Sequence, residues 1–519
     1  MSEYILIDCN RIQEYVFAST RLKGICNASL LLDDIETVKI PGLLSSIKNA
    51  KIIRSGGGIV LARFDVQSGA DEAKRFLRQA ADIYREYGLT ITSHVLPSTT
   101  STNFYDDILK PLLDIINEKK ERPTGTSFNL STILAIPCKA SGKGAAREVL
   151  VESFGSVSRD IPVSHTEWKK YKSPRTLHQI EEELKGKFKR FEIPSDLGGI
   201  VSWTKRDIPW EKPPGTSEDR ILGVIYADIN GLGGLTNIIA QDEVKYSSFC
   251  KGLRDTLKDS LKEAIEYVLK DAIAKQYKGS IPPSNAALPF RILYIGGDDL
   301  AVAVKGCYAM DIAKGLLQKF KEKSRQFITN FEIDSLPEHL TLSAGLVLAP
   351  YDYPIRNFNL IGRGLENRAK HIGRQSGTTP PPSLVDICMV KNNSIGSYQD
   401  IRSLKEVEDR FLYADPYSPD EIENLKKASQ NLITNGFPNT KLRKLPEIFS
   451  IPGDGAKYQF LNWWYGLRDN DKKTYEKVCG LLNLPKPPNM PFIQSRAQRK
   501  LVTPIVDIVE LNGLYRLIF

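Results

Sequence analysis

Histidine and cysteine are scarce in this 519-residue chain, and neither is arranged for chemistry. There are five histidines and no His-Asp dipeptide. The seven cysteines stand at 9, 26, 138, 250, 307, 388 and 479, and no two form a CxxC pair. An odd, scattered set argues against a disulfide framework and against a zinc ribbon, and points to a reducing, cytoplasmic location. No apolar run approaches the roughly 18 residues that cross a bilayer. The start, MSEYILIDCN, has no basic region ahead of an apolar segment, so it does not read as a signal peptide. The formal charge is +9, a mild basic bias over this length that favours a polyanionic partner only weakly.

What is present is a repeated order of elements. Tyr4–Asp8 reads as a short buried strand, followed by a helical pattern through Leu22 and Leu30–Leu32. Lys51–Arg54, three glycines (Gly56–Gly58) and the apolar run Ile59–Phe64 read as a hairpin. A helix over 69–87 and a strand over 89–95 complete a ferredoxin-like pattern. The pattern recurs. Leu222–Asp228 is a strand ending in an acid, 242–277 is helical, and 292–304 is a hairpin. A helix over 311–331, a strand over 340–348 and a helix over 359–370 follow. Length alone allows three or four domains. The expected division is 1–135 for the first copy, 136–215 for an inserted α-rich segment, 216–392 for the second copy, and 393–519 for a helical C-terminal part. The fold class is α+β. In the last part, FLNWWYGL (460–467) reads as helix core, and TTPPPS (378–383) marks a break after which the pattern is mostly helical.

The second hairpin, LYIGGDDLAVAV (293–304), puts Asp298 and Asp299 beside two glycines between apolar strands. In a ferredoxin-like sheet the first strand neighbours the hairpin, so Asp228 meets this turn. Three converging carboxylates repel one another unless a cation neutralises them. Their hard oxygens suit Mg²⁺ or Mn²⁺, with phosphate oxygens as further ligands. That is the donor set of a two-metal phosphoryl-transfer site. The glycines permit the positive φ angles of a tight turn and let a nucleotide lie against bare backbone. After Asp228, the run Ile229-Asn230-Gly231-Leu232-Gly233-Gly234 would offer backbone amides to a triphosphate. The earlier hairpin, RSGGGIVLARF, has the same form without acids, so the fold does not require them.

YADINGLGGL (226–235), YIGGDDLAV (294–302), LTLSAGLVLA (340–349) and NLIGRGLENRAK (359–370) resemble the palm domain of nucleotide cyclases and GGDEF diguanylate cyclases. A GGDD palm preceded by a degenerate one resembles the large signature subunit of type III CRISPR effector complexes, the Cas-ten family that includes the Cmr large subunit. YILIDCNRIQEYVFASTRLKGICNASLLL is similar to that family's first palm, RSGGGIVLARF to its glycine hairpin, and ADPYSPDEIENL (414–425) to the opening of its C-terminal helical domain.

The resemblance implies two palm domains, ATP as substrate, and cyclic oligoadenylate as product, made by attack of a 3′-hydroxyl on an α-phosphate in antiviral defence. It implies that Asp228, Asp298, Asp299 and the carbonyl of Ile229 hold two Mg²⁺ or Mn²⁺ ions, and that Asp299 binds metal or helps deprotonate the attacking hydroxyl. Gly296 and Gly297 would form the nucleotide-facing turn, with Asn230 and Gly231 beside it. Lys370 would meet phosphate, or be a solvated helix-end lysine. Ser343 would face the nucleotide, or be a small core residue. Arg291, Arg363, Arg368 and Arg374 are available phosphate partners. Implied partners are the other subunits of such a complex, with guide and target RNA. Two departures set further expectations. Without a His-Asp motif no HD nuclease activity is expected, and Ser141 three residues after Cys138 implies that the family's structural zinc is lost. A stand-alone cyclic-dinucleotide synthase, a mainly structural scaffold subunit and a template-dependent polymerase remain open as alternatives.

Overall fold

The structure is a computed structural model that describes residues 2–65, 69–98, 103–121, 136–154, 157–173, 176–203, 220–278, 280–390, 396–496 and 500–517. The first sheet comprises β1 (Ser2–Cys9), β2 (Ala50–Gly56), β3 (Ile59–Asp65) and β4 (Ile91–Ser98), in the order β2-β3-β1-β4. All of its pairings are antiparallel. Strand alternation divides β1 between two cores. Ile5, Ile7 and Cys9 pack with Ala73, Phe76, Ala80 and Tyr84 of the helix Gly69–Glu86. Tyr4 and Leu6 pack with Leu112 and Ile116 of the helix Lys110–Glu121 on the opposite face.

The segment after it contains a hairpin, β5 (Glu148–Phe154) and β6 (Val157–Val163), and three short helices, His165–Tyr171, Gln179–Lys187 and Leu197–Ser202. Residues 204–219, including the Pro-rich WEKPPGTSED, lie outside the described residues.

The second sheet comprises β7 (Ile221–Ile229), β8 (Phe290–Ile295), β9 (Asp299–Lys305), β10 (Leu342–Pro350) and β11 (Leu384–Met389), in the order β11-β10-β7-β9-β8. Four of its strands repeat the order of the first sheet. Strand β11 is an addition that the sequence reading missed, and it pairs parallel to β10. LVDICM is a short, mostly apolar stretch interrupted by Asp386, which periodicity alone cannot tell from buried helix. The C-terminal part is helical, and FLNWWYGL is core there: Phe460, Trp463 and Trp464 are buried. Among the described residues it also holds a small sheet of two-residue strands.

Strand β7 alternates as β1 does. Ile225, Ala227 and Ile229 face the long helices Glu243–Tyr277 and Gly306–Thr329. Leu222, Val224 and Tyr226 face the other way, in one core with Ile5, Ile7 and Phe17 of the first copy. The two sheets therefore share a hydrophobic interior, and their glycine turns meet at its edge.

Candidate active site

Asp228 stands near the end of β7 and Asp299 at the start of β9, directly opposite each other in register. Ser343 of β10 lies opposite Asp228 on the other side. The turn before β9 is closed by the Gly296 N–H donating to the Asp299 carbonyl at 2.8 Å. The Asp298 carbonyl accepts from the Ile229 N–H at 3.2 Å. The expected three acids and Ile229 thus share one sheet edge.

In the second turn the glycines serve space rather than handedness. Gly56, Gly57 and Gly58 adopt positive φ, but Gly296 and Gly297 do not, contrary to the expectation for that turn. A Cβ at Gly296 would collide with the Asp299 carboxylate and the Tyr294 hydroxyl. A Cβ at Gly57 would lie 2.7 Å from the Gly297 nitrogen. The bare turns of the two copies are pressed backbone to backbone.

Asp228 and Asp299, both half-buried, each hold a cationic side chain from the helix Ile355–Gln375. Lys370 donates to Asp228. Arg363 donates to Asp299 at 2.9 Å and to Glu366 at 2.7 Å. The spacing 363, 366, 370 places these three on one helix face, a signal readable in the sequence, although Glu366 was not singled out there. Gln13, from the first copy, donates to Asp299 at 3.1 Å. Arg54 of β2 donates to the Tyr246 hydroxyl at 3.2 Å and bears electrostatically on Asp298. Nothing local in the sequence marks Gln13 or Arg54 as neighbours of these acids, because tertiary packing alone brings them there.

Burial pushes the Asp228 carboxyl up to about 7, against the opposing pull of Lys370, with Glu366 and Asp298 adding repulsion. Burial likewise raises Asp299, and Asp298 adds to this, while Arg363 and the Tyr294 hydroxyl oppose it. Among the described residues no three His, Cys, Asp or Glu side chains stand together as a ready metal cage. Lys370 and Arg363 hold the Asp228 and Asp299 carboxylates instead, with Gln13 beside Arg363 on Asp299. The donor chemistry nevertheless fits a hard divalent cation: oxygen ligands, raised carboxyls and mutual repulsion are what such an ion relieves.

Asn230 is buried, with its N–H bonded to the Thr341 carbonyl (2.9 Å) and its side chain bonded to Ser343 (2.8 Å) and Thr341 (3.1 Å). Gly231, at φ 76, then opens the helix Leu232–Ile239. Side chains added at Gly231, Gly233 or Gly234 would meet nothing within 4 Å, so this face stays open. Of the four arginines expected as phosphate partners, Arg363 engages the acids. Arg291 is buried against Glu181 (3.4 Å), and Arg368 pairs with Asp386 and Asp415, both at 3.1 Å. Arg374 is exposed near the end of its helix.

The first copy keeps a reduced counterpart of this site. Asp8 near the end of β1 pairs with Lys120 at 2.7 Å, as Asp228 pairs with Lys370. Its hairpin turn holds no acids. The loop at Cys138 is closed by its own bonds: the Cys138 N–H donates to Gly144 and the Gly142 N–H to Cys138. Burial raises the Cys138 thiol, but hydrogen bonds with Ser141 and Ser164 outweigh it and leave the thiol below its ordinary value.

A sheet of this order with acids at the β7 end and the β9 turn defines a palm domain. Residues 221–378 match the family model described as Cas10/Cmr2, second palm domain. The whole chain is similar in fold to Csm1 from T. onnurineus, with TM-score 0.54 and 16% identity over 99% of this chain and 69% of that one. It is similar to the Csm1–Csm4 cassette in complex with cA4, with TM-score 0.53 and 16% identity over 100% and 69%. The same cassette in complex with one ATP gives 0.53 and 17% over 99% and 70%. No curated protein is similar enough in sequence to match. The chain is therefore Cas10-like in two respects: residues 221–378 are similar to the Cas10/Cmr2 second palm, and the fold is similar to that of Csm1.

Proposed function

We propose that the chain is the large subunit of a type III CRISPR complex and that its second palm joins ATP molecules into cyclic oligoadenylate. The observation that carries this reading is the convergence of Asp228, Asp298 and Asp299 at one sheet edge, within the match to the Cas10/Cmr2 palm. Structures similar in fold have been solved with ATP and with cA4, which supports the same substrate and product here.

On this reading residues 1–135 are the first palm, 136–215 an inserted domain, 216–392 the second palm and 393–519 a docking domain for other subunits. Asp228, Asp298, Asp299 and the Ile229 carbonyl would hold Mg²⁺ or Mn²⁺, which when bound would neutralise charge on the reacting hydroxyl and phosphate. Lys370 and Arg363, displaced from their carboxylates, would become phosphate partners. Asp299 would bind metal or help to deprotonate the attacking 3′-hydroxyl. The hydroxyl oxygen attacks the α-phosphorus of a second ATP, and pyrophosphate leaves. The open face at Gly231–Gly234 gives the triphosphate room. Among the described residues no helix is long and apolar enough to cross a membrane. On this reading the complex is cytoplasmic and carries guide and target RNA.

The test is incubation of the purified chain, alone and with its partner subunits and target RNA, with ATP and Mg²⁺ or Mn²⁺. Cyclic oligoadenylate that disappears in the Asp298→Ala/Asp299→Ala variant is expected. No turnover in any assembly, together with no binding of metal-nucleotide, would leave a scaffold role instead.

A further inference from the structure

Asp299 is gripped from two sides. Its Oδ2 accepts from Arg363 of the second copy at 2.9 Å and from Gln13 of the first copy at 3.1 Å. The second contact joins residues 286 positions apart. The first copy, which has no acids on its own turn, thus reaches the acid pair of the other.

The short helix carrying Gln13, Ile12–Val16, is fixed elsewhere. It is entered through Arg11 at φ 53, a left-handed conformation that arginine rarely adopts and that surrounding structure must impose. The Tyr15 carbonyl accepts from the Lys170 ammonium at 2.8 Å. Lys170 is fully buried, pairs with Glu167 at 2.7 Å and lies 4.1 Å over the Tyr15 ring. Phe17, just past the helix, packs on Tyr226 of β7, two residues before Asp228. These contacts hold the helix, and Gln13 adds little to them.

What Gln13 does contribute is directed. Its Nε2 is committed to Asp299, while its buried Oε1 has no hydrogen-bond partner. Buried amides normally satisfy both ends. This one leaves its carbonyl unpaired to present a donor to the carboxylate.

We propose that Gln13 is a positioning residue for Asp299, so that the geometry of the acid pair is set jointly by both sheets. This rests on the reading of the site as a nucleotidyltransferase. A donor to a carboxylate fixes its orientation. Without Gln13, the side-chain donors left to Asp299 among the described residues are Arg363 and Tyr294, both from its own palm.

The test uses Gln13→Met, of similar length but without a donor, in the full chain assembled with its partner subunits. The expected result is a fall in kcat of roughly ten- to a hundredfold, with KM for ATP within about twofold and the melting temperature unchanged. Calorimetric titration of the full chain with Mn²⁺ and no nucleotide should show severalfold weaker binding in Gln13→Met. In an Asp299→Asn background the same substitution should add nothing further. Unchanged kcat and Mn²⁺ binding in Gln13→Met, beside a wild type that makes oligoadenylate, overturns this proposal alone. So does a loss that tracks a lowered melting temperature, or one that persists undiminished in the Asp299→Asn background. A wild type that neither turns over nor binds Mn²⁺ removes the functional reading and this proposal with it.

Discussion

Glu36 shows how far burial alone moves a carboxyl in this molecule. It is 1% exposed, in the helical segment Ile35–Lys39 that follows the helix Leu22–Asp34. Burial pushes it up to about 8, even though Arg254, the Gly58 N–H and Arg54 all favour the anion. In the unfolded chain it titrates near 4.3. Between these values the folded protein keeps a proton that the unfolded chain has lost. Its contribution to stability is therefore greatest below about pH 4.3, declines as pH rises, and is flat above about 8. Between pH 6 and pH 8.5 the loss should be roughly 2–3 kcal/mol. Glu36→Gln should abolish this part of the slope and be the more stable protein at pH 8.5. Urea unfolding of both proteins at the two pH values measures it, and parallel pH dependences would refute the assignment. Legibility divides at the same scale. Asp228, Asp298 and Asp299 could be read because each is fixed by strand ends and covalent neighbours. Glu36, Gln13 and Arg54 could not, because their environment comes from chain hundreds of residues away or from the depth of the core.

At the scale of elements, the meeting of two hairpin turns is the most demanding piece of geometry. Gly57 has φ 67, and its Cβ would fall 2.7 Å from a backbone nitrogen that no rotamer change can move. Gly57→Ala should therefore cost about 1–3 kcal/mol through strain and clash. It should also force the GGDD turn away from the first copy and weaken Mn²⁺ binding. Gly142→Ala, also at positive φ but with nothing within 4 Å, should cost only the backbone strain and leave Mn²⁺ binding intact. Melting temperatures and Mn²⁺ titrations of the two variants separate the terms; equal effects on Mn²⁺ would show that the turns do not depend on each other. Strand pairs and long amphipathic helices were visible in the sequence because their periods are local. Strand β11 was hidden because a six-residue, mostly apolar stretch that follows three prolines carries no period of its own. Its place beside β10 depends on the intervening helix Ile355–Gln375 carrying the chain across the sheet.

Across the whole molecule, the repeat seen in the sequence implied two ferredoxin-like units, but not that they would share an interior. Alternation in β7 could show that both faces are apolar; it could not show that one of them belongs to the neighbouring copy. Phe17, Leu222, Val224, Tyr226 and Phe358 lie in one buried cluster with Ile5 and Val60. The edge strand β8 is also closed from outside its sheet, by Glu181 on the Ile292 N–H (2.8 Å) and Cys26 on the Ile292 carbonyl (3.1 Å). Neither sheet is then a free-standing folding unit, and their unfolding should be one event. Phe17→Ala removes a ring that is 4% exposed and packs on Tyr226 with centroids 6.2 Å apart. Its expected cost is about 3–5 kcal/mol. If the interior is shared, the heat-capacity peak that contains the first sheet moves down together with the one that Mn²⁺ and ATP stabilise, because they are the same peak. Separate peaks, with the ligand-stabilised one indifferent to Phe17→Ala, would mean that the two palms fold independently, and that the contact between Gln13 and Asp299 is made only after both have formed.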